Sequence, residues 1–406
     1  MTVGLVYDLG SLSPTRQVEL ARSNGAEPVF IGAATDHVDE MAPYLQHLAE
    51  YVEAGPTVEE TVERLVNRRL DAVLTFSEHQ LRFTAELARA LGLSGYSPET
   101  LDAVTLKDAQ RRRMAAGGIP QPAFCLVSTS DTRPPELKSL AFPVIVKPVR
   151  GAGSRNTARA GTRDELTQLI DRFLPDEGAL IVEEFLEGRS EVEPWGDYCA
   201  IDVLVHRGQV HPLFVSAKFS LSTPFRERGA YGPATPDVLP EYHDVLRLAE
   251  ATVHALAIDE AVVDMEIKLT PTGPRLIELN GRLGAWVDDL ARTAGVCAPG
   301  DLAFKVALGL PITPPVYPTT VESLAYQYIV VAPQDRSRVL RVDAPTRLRQ
   351  LACVDRVTVL KQTGDDVGWE LGAGSFLAEV QGRAPSRQVL RNLVHEFELL
   401  DWIALD

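Results

Sequence analysis

Cysteine is scarce in this chain, and its few copies are widely separated. Four occur among 406 residues, at Cys125, Cys199, Cys297 and Cys353, with no C-x-x-C pair. That spacing argues against a disulfide framework and a zinc knuckle, so we expect reduced thiols in a cytoplasmic protein. The eight histidines likewise show no H-E-x-x-H or comparable metal-binding spacing.

Positive charge and long apolar runs are also lacking. Lysine and arginine number 40 against 56 aspartates and glutamates, which gives a formal net charge of −16. An acidic chain is a poor match for nucleic acid or an anionic membrane, although a few converging cations can still hold a small polyanion. No apolar stretch approaches the roughly 18 residues that cross a bilayer, and the residues up to the strand-like Val3–Tyr7 show no basic n-region or cleavage site. We therefore expect a cytoplasmic protein that binds small molecules.

The composition that remains is that of a globular protein, with 45% hydrophobic and 24% charged residues. At about 100–200 residues per domain, this length predicts two to four domains. The first hundred residues alternate apolar runs with helical patterns, which predicts a small parallel sheet covered by helices. The predicted elements are strands at Val3–Leu9, Pro28–Ile31 and Asp71–Phe76, and helices at Thr15–Asn24 and from Thr57-x-x-Glu60 to about Arg69.

Beyond about residue 97 the pattern changes to short paired strands. A basic helix through Lys107 ends at Gly117-Gly118, and a proline-rich bridge begins at Pro311. We place domain boundaries near 97 and 311. Predicted strands between them are Leu180–Phe185, Tyr198–Val205, Val210–Ala217, Ala261–Leu269 and Arg275–Leu279, followed by helices near Trp286–Thr293 and Asp301–Leu308.

A glycine-rich turn follows the apolar strand that ends at Lys147. Gly151, Gly153 and Ser154 provide backbone N–H groups able to wrap a phosphate, and Lys147 supplies a point charge for its oxygens. The turn is not a P-loop, and the alternative is an ordinary hairpin that ends in a solvated lysine.

Two neighbouring strands each carry an acid among apolar residues. Glu266 alternates with Met265 and Ile267, and Glu278 shares a strand face with Asn280. Inward-facing acids are costly unless they are paired or bind a metal, and two carboxylates with an amide oxygen suit Mg²⁺. Cross-strand glutamate pairs with lysine or arginine are the alternative. Arg282 follows as a planar cation suited to carboxylate or phosphate.

A third segment, Ile181–Gly188, is an apolar strand that ends in acids. Its backbone is suited to pair with an adenine edge, although acid-tipped strands are common. The residues concerned are Glu183, Glu184, Phe185 and Leu186.

Taken in this order, the three segments resemble the ATP-grasp superfamily over residues 100 to 300. Lys107, before a helix and Gly118-Ile119-Pro120-Gln121-Pro122, resembles the first nucleotide-binding lysine, and Lys147 with its glycine loop resembles the second. Glu183–Leu186 resembles the adenine hinge. Glu266, Glu278 and Asn280 match the magnesium ligands, and Asn280–Gly284 resembles the family's N-x-R-x-G signature.

Within that superfamily the chain resembles carboxylate–amine ligases related to bacterial L-amino acid ligases. The resemblance lies in the segment from Lys218 to Gly229, which contains Pro224-Phe225-x-Glu227-x-Gly229. It implies that Glu227 holds the substrate amino group, that Arg282 holds the reacting carboxylate and its acyl phosphate, and that Lys218, Gly229 and Gly284 complete the substrate site. The alternatives are a purine-pathway or biotin-carboxylase-like enzyme, or a non-catalytic ATP-binding regulatory protein.

The resemblance implies a multidomain α/β and α+β architecture with an ATP-grasp fold. Its expected parts are a Rossmann-like N-terminal domain (1–97), a lid with the glycine loop (98–180), a catalytic subdomain (181–310) and a small α+β C-terminal domain (311–406). It also implies ATP, two Mg²⁺ ions that Mn²⁺ can replace, catalytic roles for Arg282 and Lys147, and a homodimer.

One departure from the family pattern lies at residues 189–197, which are several residues longer than expected. Glu191 is our choice for the acid that binds the ribose, and Glu193 and Asp197 are the alternatives. The insertion either shapes the substrate pocket, with Trp195 as a wall, or packs as an ordinary loop.

Overall fold

The N-terminal region forms a parallel sheet of four strands in the order β3-β2-β1-β4. The structure is a computed structural model that describes residues 1–223 and 225–406. The predicted small parallel sheet is confirmed, and the Ser13 and Thr57 side chains cap the helices that follow them. The elements are β1 (Thr2–Tyr7), α1 (Pro14–Ser23), β2 (Glu27–Gly32), α2 (Asp36–Leu48), β3 (Glu50–Glu53), α3 (Val58–Arg64), β4 (Ala72–Leu74) and α4 (Leu81–Ala90).

Two helices and a second sheet follow. The helices are α5 (Pro98–Thr105) and α6 (Lys107–Ala116), and the sheet elements are β5 (Phe124–Ser128), β6 (Val144–Pro148), β7 (Ala158–Ala160), α7 (Arg163–Glu177) and β8 (Ala179–Glu184). The strands pair antiparallel in the order β5-β8-β6-β7, and α7 covers one face through a core of its own. We call residues 124–184 the lid.

The lid differs from the predicted 98–180 segment at both ends. Strand β8 pairs with both β5 and β6, so the sheet extends to residue 184 rather than stopping at 180. Helices α5 and α6 belong to the hydrophobic core of the large sheet, to which they contribute Val104 and Met114.

An antiparallel sheet of eight strands forms the body of the molecule. It contains β9 (Trp195–His206), β10 (Gln209–Phe219), β11 (Gly229–Gly232), β12 (Ala261–Thr270), β13 (Gly273–Asn280), β14 (Leu324–Val331), β16 (Val354–Val359) and β17 (Phe376–Ala384), with β15 (Val339–Val342) and β18 (Ile403–Leu405) paired separately. The helices packed around it are α8 (Tyr242–Ala255), α9 (Val287–Thr293), α10 (Pro299–Ala307), α11 (Thr346–Gln350) and α12 (Arg387–Phe397).

The order of this sheet, β13-β12-β9-β10-β11-β14-β17-β16, crosses the predicted boundary at 311. Strand β14 pairs with β11, so the region after 311 continues the sheet instead of standing apart. A second core joins this sheet to the N-terminal one through residues such as Leu5, Phe214 and Phe304. Among the residues described, no helix is both long and apolar enough to traverse a lipid bilayer.

Candidate active site

A cavity of about 400 Å³ lies between the lid and the large sheet. That volume falls in the range of about 300–1,000 Å³ that is typical of small-molecule sites. His79 from the N-terminal region also reaches it. Among the described residues, six lysines and arginines and six glutamates line the cavity: Lys107, Arg111, Lys147, Arg150, Arg155, Lys268, Glu177, Glu183, Glu184, Glu227, Glu266 and Glu278.

The two lysines singled out in the sequence both lie in this cavity and both contact a glutamate. The Nζ atom of Lys107 is 3.3 Å from Glu278 Oε2 and donates a hydrogen bond of 2.8 Å to the Gly151 carbonyl. The Nζ atom of Lys147 is 2.8 Å from Glu183 Oε2. Lys107 therefore connects the glycine loop to the acidic hairpin of β12 and β13.

Glu183 forms a buried ion pair that the sequence reasoning missed. Arg111 on α6 donates to both of its carboxylate oxygens, at 2.6 and 3.2 Å. Burial alone would raise the pKa of Glu183, but the charges of Arg111 and Lys147 outweigh burial and lower that pKa to about 2. The Glu183 side chain is thus committed to holding the lid strand against α6, and its backbone lies between β5 and β6 in the lid sheet.

The hinge after β8 presents an unengaged backbone donor. Glu184 accepts a hydrogen bond of 2.9 Å from the Ala141 N–H, and the Phe185 N–H donates to the Pro143 carbonyl at 3.0 Å. The Leu186 N–H, in contrast, donates to no group in the described part of the chain. Phe185 and Leu186 both line the cavity, with Lys268 Nζ 5.7 Å from the Phe185 ring.

The predicted magnesium ligands lie on one hairpin. Glu266 on β12 stands opposite Glu278 on β13, and both line the cavity. Burial and then the charge of Glu278 raise the pKa of Glu266 to about 8, as expected for two buried carboxylates that face each other. The Nδ2 atom of Asn280 donates to Asp264 Oδ2 at 2.9 Å, which leaves the Asn280 amide oxygen available.

The side-chain oxygens of Glu266, Glu278 and Asn280 are of the type that Mg²⁺ binds, because this ion prefers carboxylate and amide oxygens and keeps several of its waters. Within residues 1–223 and 225–406, no three histidine, cysteine, aspartate or glutamate side chains converge as a dedicated metal cluster. A cation at this hairpin would therefore take the rest of its ligands from water and from a phosphate-bearing substrate.

Arg282 is largely buried beside Glu78, Asp202 and Asp264 and is not among the described residues that line the cavity. Its Nε atom is 3.2 Å from Glu78 Oε2, and its Nη1 atom is 3.9 Å from Asp264 Oδ2 and donates to the Leu283 carbonyl at 3.0 Å. Burial raises the pKa of Glu78 to about 7 in spite of the Arg282 charge. Glu78 and Asp264 were not predicted from the sequence.

Gly284 has a packing role in addition to any contact with substrate. Its N–H donates to Asp202 Oδ1 at 2.7 Å, and a Cβ at this position would lie 2.9 Å from the same oxygen. Burial and the charge of Asp264 raise the pKa of Asp202. A side chain at 284 would displace Asp202 and thereby disturb the surroundings of Arg282.

The predicted substrate residues lie on β10 and the segment after it. Lys218 is buried and forms an ion pair with Glu227, which lines the cavity. Gly229 has a φ of +97°, and a Cβ there would overlap the Gln327 carbonyl oxygen, so glycine is required by the backbone. Pro224 of the quoted motif lies outside the described residues.

The three candidate ribose acids have different environments. Glu191 pairs with Arg189 at 2.6 Å and does not line the cavity, whereas Glu193 contacts Arg228 at 2.8 Å. Asp197 is 2.7 Å from the Nζ atom of Lys268, a cavity residue, and is packed so closely on Gly188 that a Cβ there would overlap its carboxylate. Asp197 is therefore the acid tied to the hinge.

Trp195 is buried rather than forming a wall of the cavity. Its ring is stacked 6.0 Å from the ring of Phe219, and the guanidinium of Arg387 lies 4.4 Å from its centroid. Trp195 therefore packs as part of an ordinary loop, which was the alternative to a pocket wall. It attaches the 189–197 insertion to helix α12.

Comparisons with known proteins agree with this arrangement. A family model described as the ATP-grasp domain matches residues 108–286. An L-arginine-specific L-amino acid ligase of Bacillus subtilis is 24% identical over 273 residues, which cover 64% of this chain and 59% of that protein. Carnosine synthase 1 of Gallus gallus is 26% identical over 367 residues, covering 79% of this chain and 37% of that protein. The chain thus spans about half the length, or less, of these curated relatives.

The solved structure of an L-amino acid ligase from Bacillus licheniformis matches at a TM-score of 0.78 with 20% identity. The match covers 100% of this chain and 98% of that one. At that identity the likeness establishes the fold, and it does so over the full chain. The predicted fold class is therefore confirmed: the chain has the ATP-grasp fold and contains an ATP-grasp domain over residues 108–286.

Proposed function

We propose that this protein is an ATP-dependent carboxylate–amine ligase with at least one amino-acid substrate. It joins the two substrates through an acyl phosphate and releases ADP and phosphate. The observation that carries the proposal is the single cavity in which Lys107, Lys147, Glu266 and Glu278 meet Glu227. Cations suited to phosphate, acids suited to a metal ion and an acid suited to an ammonium group thereby share one cavity.

In the proposed binding mode, adenine pairs with the hinge through the free N–H of Leu186. The ribose hydroxyls are bound by Asp197 in place of Glu191, because Asp197 is held beside the hinge by Lys268. The phosphates lie under the glycine loop, where Lys107 and Lys147 neutralise their charge. Both lysines exchange part of their contact with a glutamate for contact with phosphate.

Glu266, Glu278 and Asn280 would hold two Mg²⁺ ions, replaceable by Mn²⁺, which neutralise charge on the ATP phosphates during transfer. Arg282 orients the substrate carboxylate so that one of its oxygens attacks the γ-phosphorus while ADP leaves. The amine then attacks the acyl carbon and phosphate departs, and Arg282 stabilises the oxyanion of that tetrahedral intermediate. Glu227 positions the amino group of the amino-acid substrate, and the lid excludes water from the acyl phosphate.

The test is the release of ADP and phosphate from Mg-ATP across a panel of amino acids and other small carboxylic acids, alone and in pairs. The expected result is turnover that needs one acid and one amine, with a product mass equal to their sum less water. Turnover that instead requires bicarbonate would favour the carboxylase-like alternative. ATP binding with no turnover over a broad panel would favour the regulatory alternative.

Replacing Lys147 with methionine is expected to raise the KM for ATP and lower kcat. Hydrogen bonds to charged groups contribute about 1.5–3 kcal/mol, which corresponds to an effect of roughly 10- to 150-fold. The lid should keep its structure, because Arg111 still holds Glu183 through two hydrogen bonds. Steady-state kinetics in ATP provide the measurement, and K138M, at an exposed lysine of the lid, is the matched control. Unchanged ATP kinetics in K147M would refute the assignment.

Replacing Glu227 with glutamine is expected to raise the KM for the amino acid by about 10- to 100-fold. The KM for ATP should stay within about twofold, because the ammonium group is the only part of a substrate that Glu227 is proposed to contact. E187Q, at an exposed glutamate beside the hinge, controls for the general loss of negative charge. If both KM values rise together, Glu227 does not belong to the amino-acid site.

A further inference from the structure

A short turn near the C-terminus, residues 369–375, rests on the lid. We call it the C-terminal turn; its backbone is a 3₁₀ helix interrupted at Gly372. The ring of Trp369 meets the ring of Phe173 edge-on with centroids 6.5 Å apart. Arg172 lies over the Trp369 ring at 5.3 Å and forms an ion pair with Glu370. The turn therefore contacts helix α7 through both apolar and charged groups.

The same turn contacts the glycine loop directly. The Ala373 N–H donates a hydrogen bond of 3.0 Å to the Gly153 carbonyl. Gly372 has a φ of +55°, and a Cβ there would lie 2.8 Å from the Arg155 nitrogen and closer still to the Gly153 carbonyl oxygen. The backbones of the C-terminal turn and the glycine loop thus approach each other to a distance that only glycine at position 372 permits.

The other end of the turn is anchored in the large sheet. Ser375 donates to the Gly372 carbonyl at 2.7 Å and accepts a hydrogen bond of 3.4 Å from Arg226, and Phe376 begins strand β17. Arg226 is only 2% exposed and directly precedes Glu227. The C-terminal turn consequently connects the glycine loop with the sheet and with the segment that carries the proposed amino-acid site.

We propose that the C-terminal turn is a positioning element that holds the glycine loop over the ATP phosphates during ligation. This inference rests on the proposed ligase function. The Gly153 carbonyl is fixed by a residue about 220 positions later in the chain, so the loop need not order itself alone when ATP binds. The same contact keeps water from the acyl phosphate while the amine attacks.

The test compares G372A with G364A. Gly364 also has a positive φ, +94°, but no atom lies within 4 Å of the position its Cβ would take. Both variants place a Cβ on a residue with positive φ, and only G372A pushes the glycine loop away. The expected results for G372A are an affinity for a non-hydrolysable ATP analogue at least 10-fold weaker, faster protease cleavage within residues 150–157, and an ADP-to-amide ratio above one. The control should retain wild-type values for all three.

The readouts separate this inference from the proposed function. Analogue affinity and protease cleavage need no turnover, so they test the positioning role even if no acid–amine pair is ever ligated. A G372A protein with wild-type affinity and wild-type cleavage would overturn the inference. If G372A does not fold, W369A and E370Q remove the contacts with α7 instead and should weaken analogue binding in the same direction. Unchanged binding of the ATP analogue in both W369A and E370Q would also overturn the inference.

Discussion

Replacing Glu278 with glutamine is expected to reduce ligation by about 10³-fold while the fold stays intact. A metal ion contributes several kcal/mol of charge stabilisation in phosphoryl transfer, and each 1.36 kcal/mol corresponds to about tenfold in rate. Glu278 stands opposite Glu266 and 3.3 Å from Lys107, so both the proposed metal site and the lysine depend on its charge. Glutamine keeps the shape but loses the charge.

The fold should tolerate this change for a specific reason. Removing the Glu278 charge relieves its repulsion with Glu266, and Lys107 keeps its hydrogen bond to the Gly151 carbonyl. We therefore expect a thermal midpoint within a few degrees of the wild type, measured beside ligation rates at increasing Mg²⁺ concentration. E322Q, at an exposed glutamate, is the control. Retention of more than about a tenth of the activity would remove Glu278 from the metal site.

The parts of the cavity that follow from local pattern were predictable from the sequence. Strand alternation brings Glu266 and Glu278 onto facing positions of a hairpin, and short-range spacing places the glycine loop directly after Lys147. The hinge could be located in the same way, since Phe185 and Leu186 immediately follow a buried strand. These features depend on neighbours within a few residues, so the chain encodes them without reference to the rest of the fold.

The contacts that depend on distant segments were not predictable in the same way. Arg111 meets Glu183 only because α6 packs beside the lid strand, and Glu78 meets Arg282 only because the N-terminal sheet packs on the large one. The sequence nevertheless contains signals that Arg111 and Glu78 belong to the site. Arg111 lies one helical turn after Lys107, and Glu78 follows the carboxyl end of a parallel strand, where α/β folds place ligand-binding groups. Neither signal identifies the residue that Arg111 or Glu78 contacts.

The ribose acid illustrates a different limit. Counting from the hinge favoured Glu191, but the intervening loop turns away and directs Glu191 to Arg189. Asp197 lies beside the hinge because it is near the start of the long strand β9, next to Lys268. Spacing along a loop does not fix where its side chains point, whereas a position in a paired strand does.

Replacing Arg282 with lysine is expected to lower the kcat of ligation by about 10²–10³-fold, the usual effect of losing a donor to a developing oxyanion. Lysine keeps the positive charge among Glu78, Asp202 and Asp264, so these buried acids are not left without a cation. Methionine would leave them unpaired, and breaking a buried pair costs about 3–5 kcal/mol of stability. The lysine variant therefore separates the chemistry from the fold.

The loss is expected because the guanidinium serves two functions at once. Its Nε atom faces Glu78 and one Nη1 hydrogen is used by the Leu283 carbonyl, which fixes the plane of the group and leaves its other donors for the substrate carboxylate. A single ammonium cannot satisfy Glu78 and also present a fork to the acyl phosphate. R275K, on strand β13, which ends shortly before Arg282, is the control, and the KM for ATP should not change in either variant. If R282K ligates at the wild-type rate, positive charge alone is sufficient at this position, and the oxyanion must be stabilised elsewhere in the cavity.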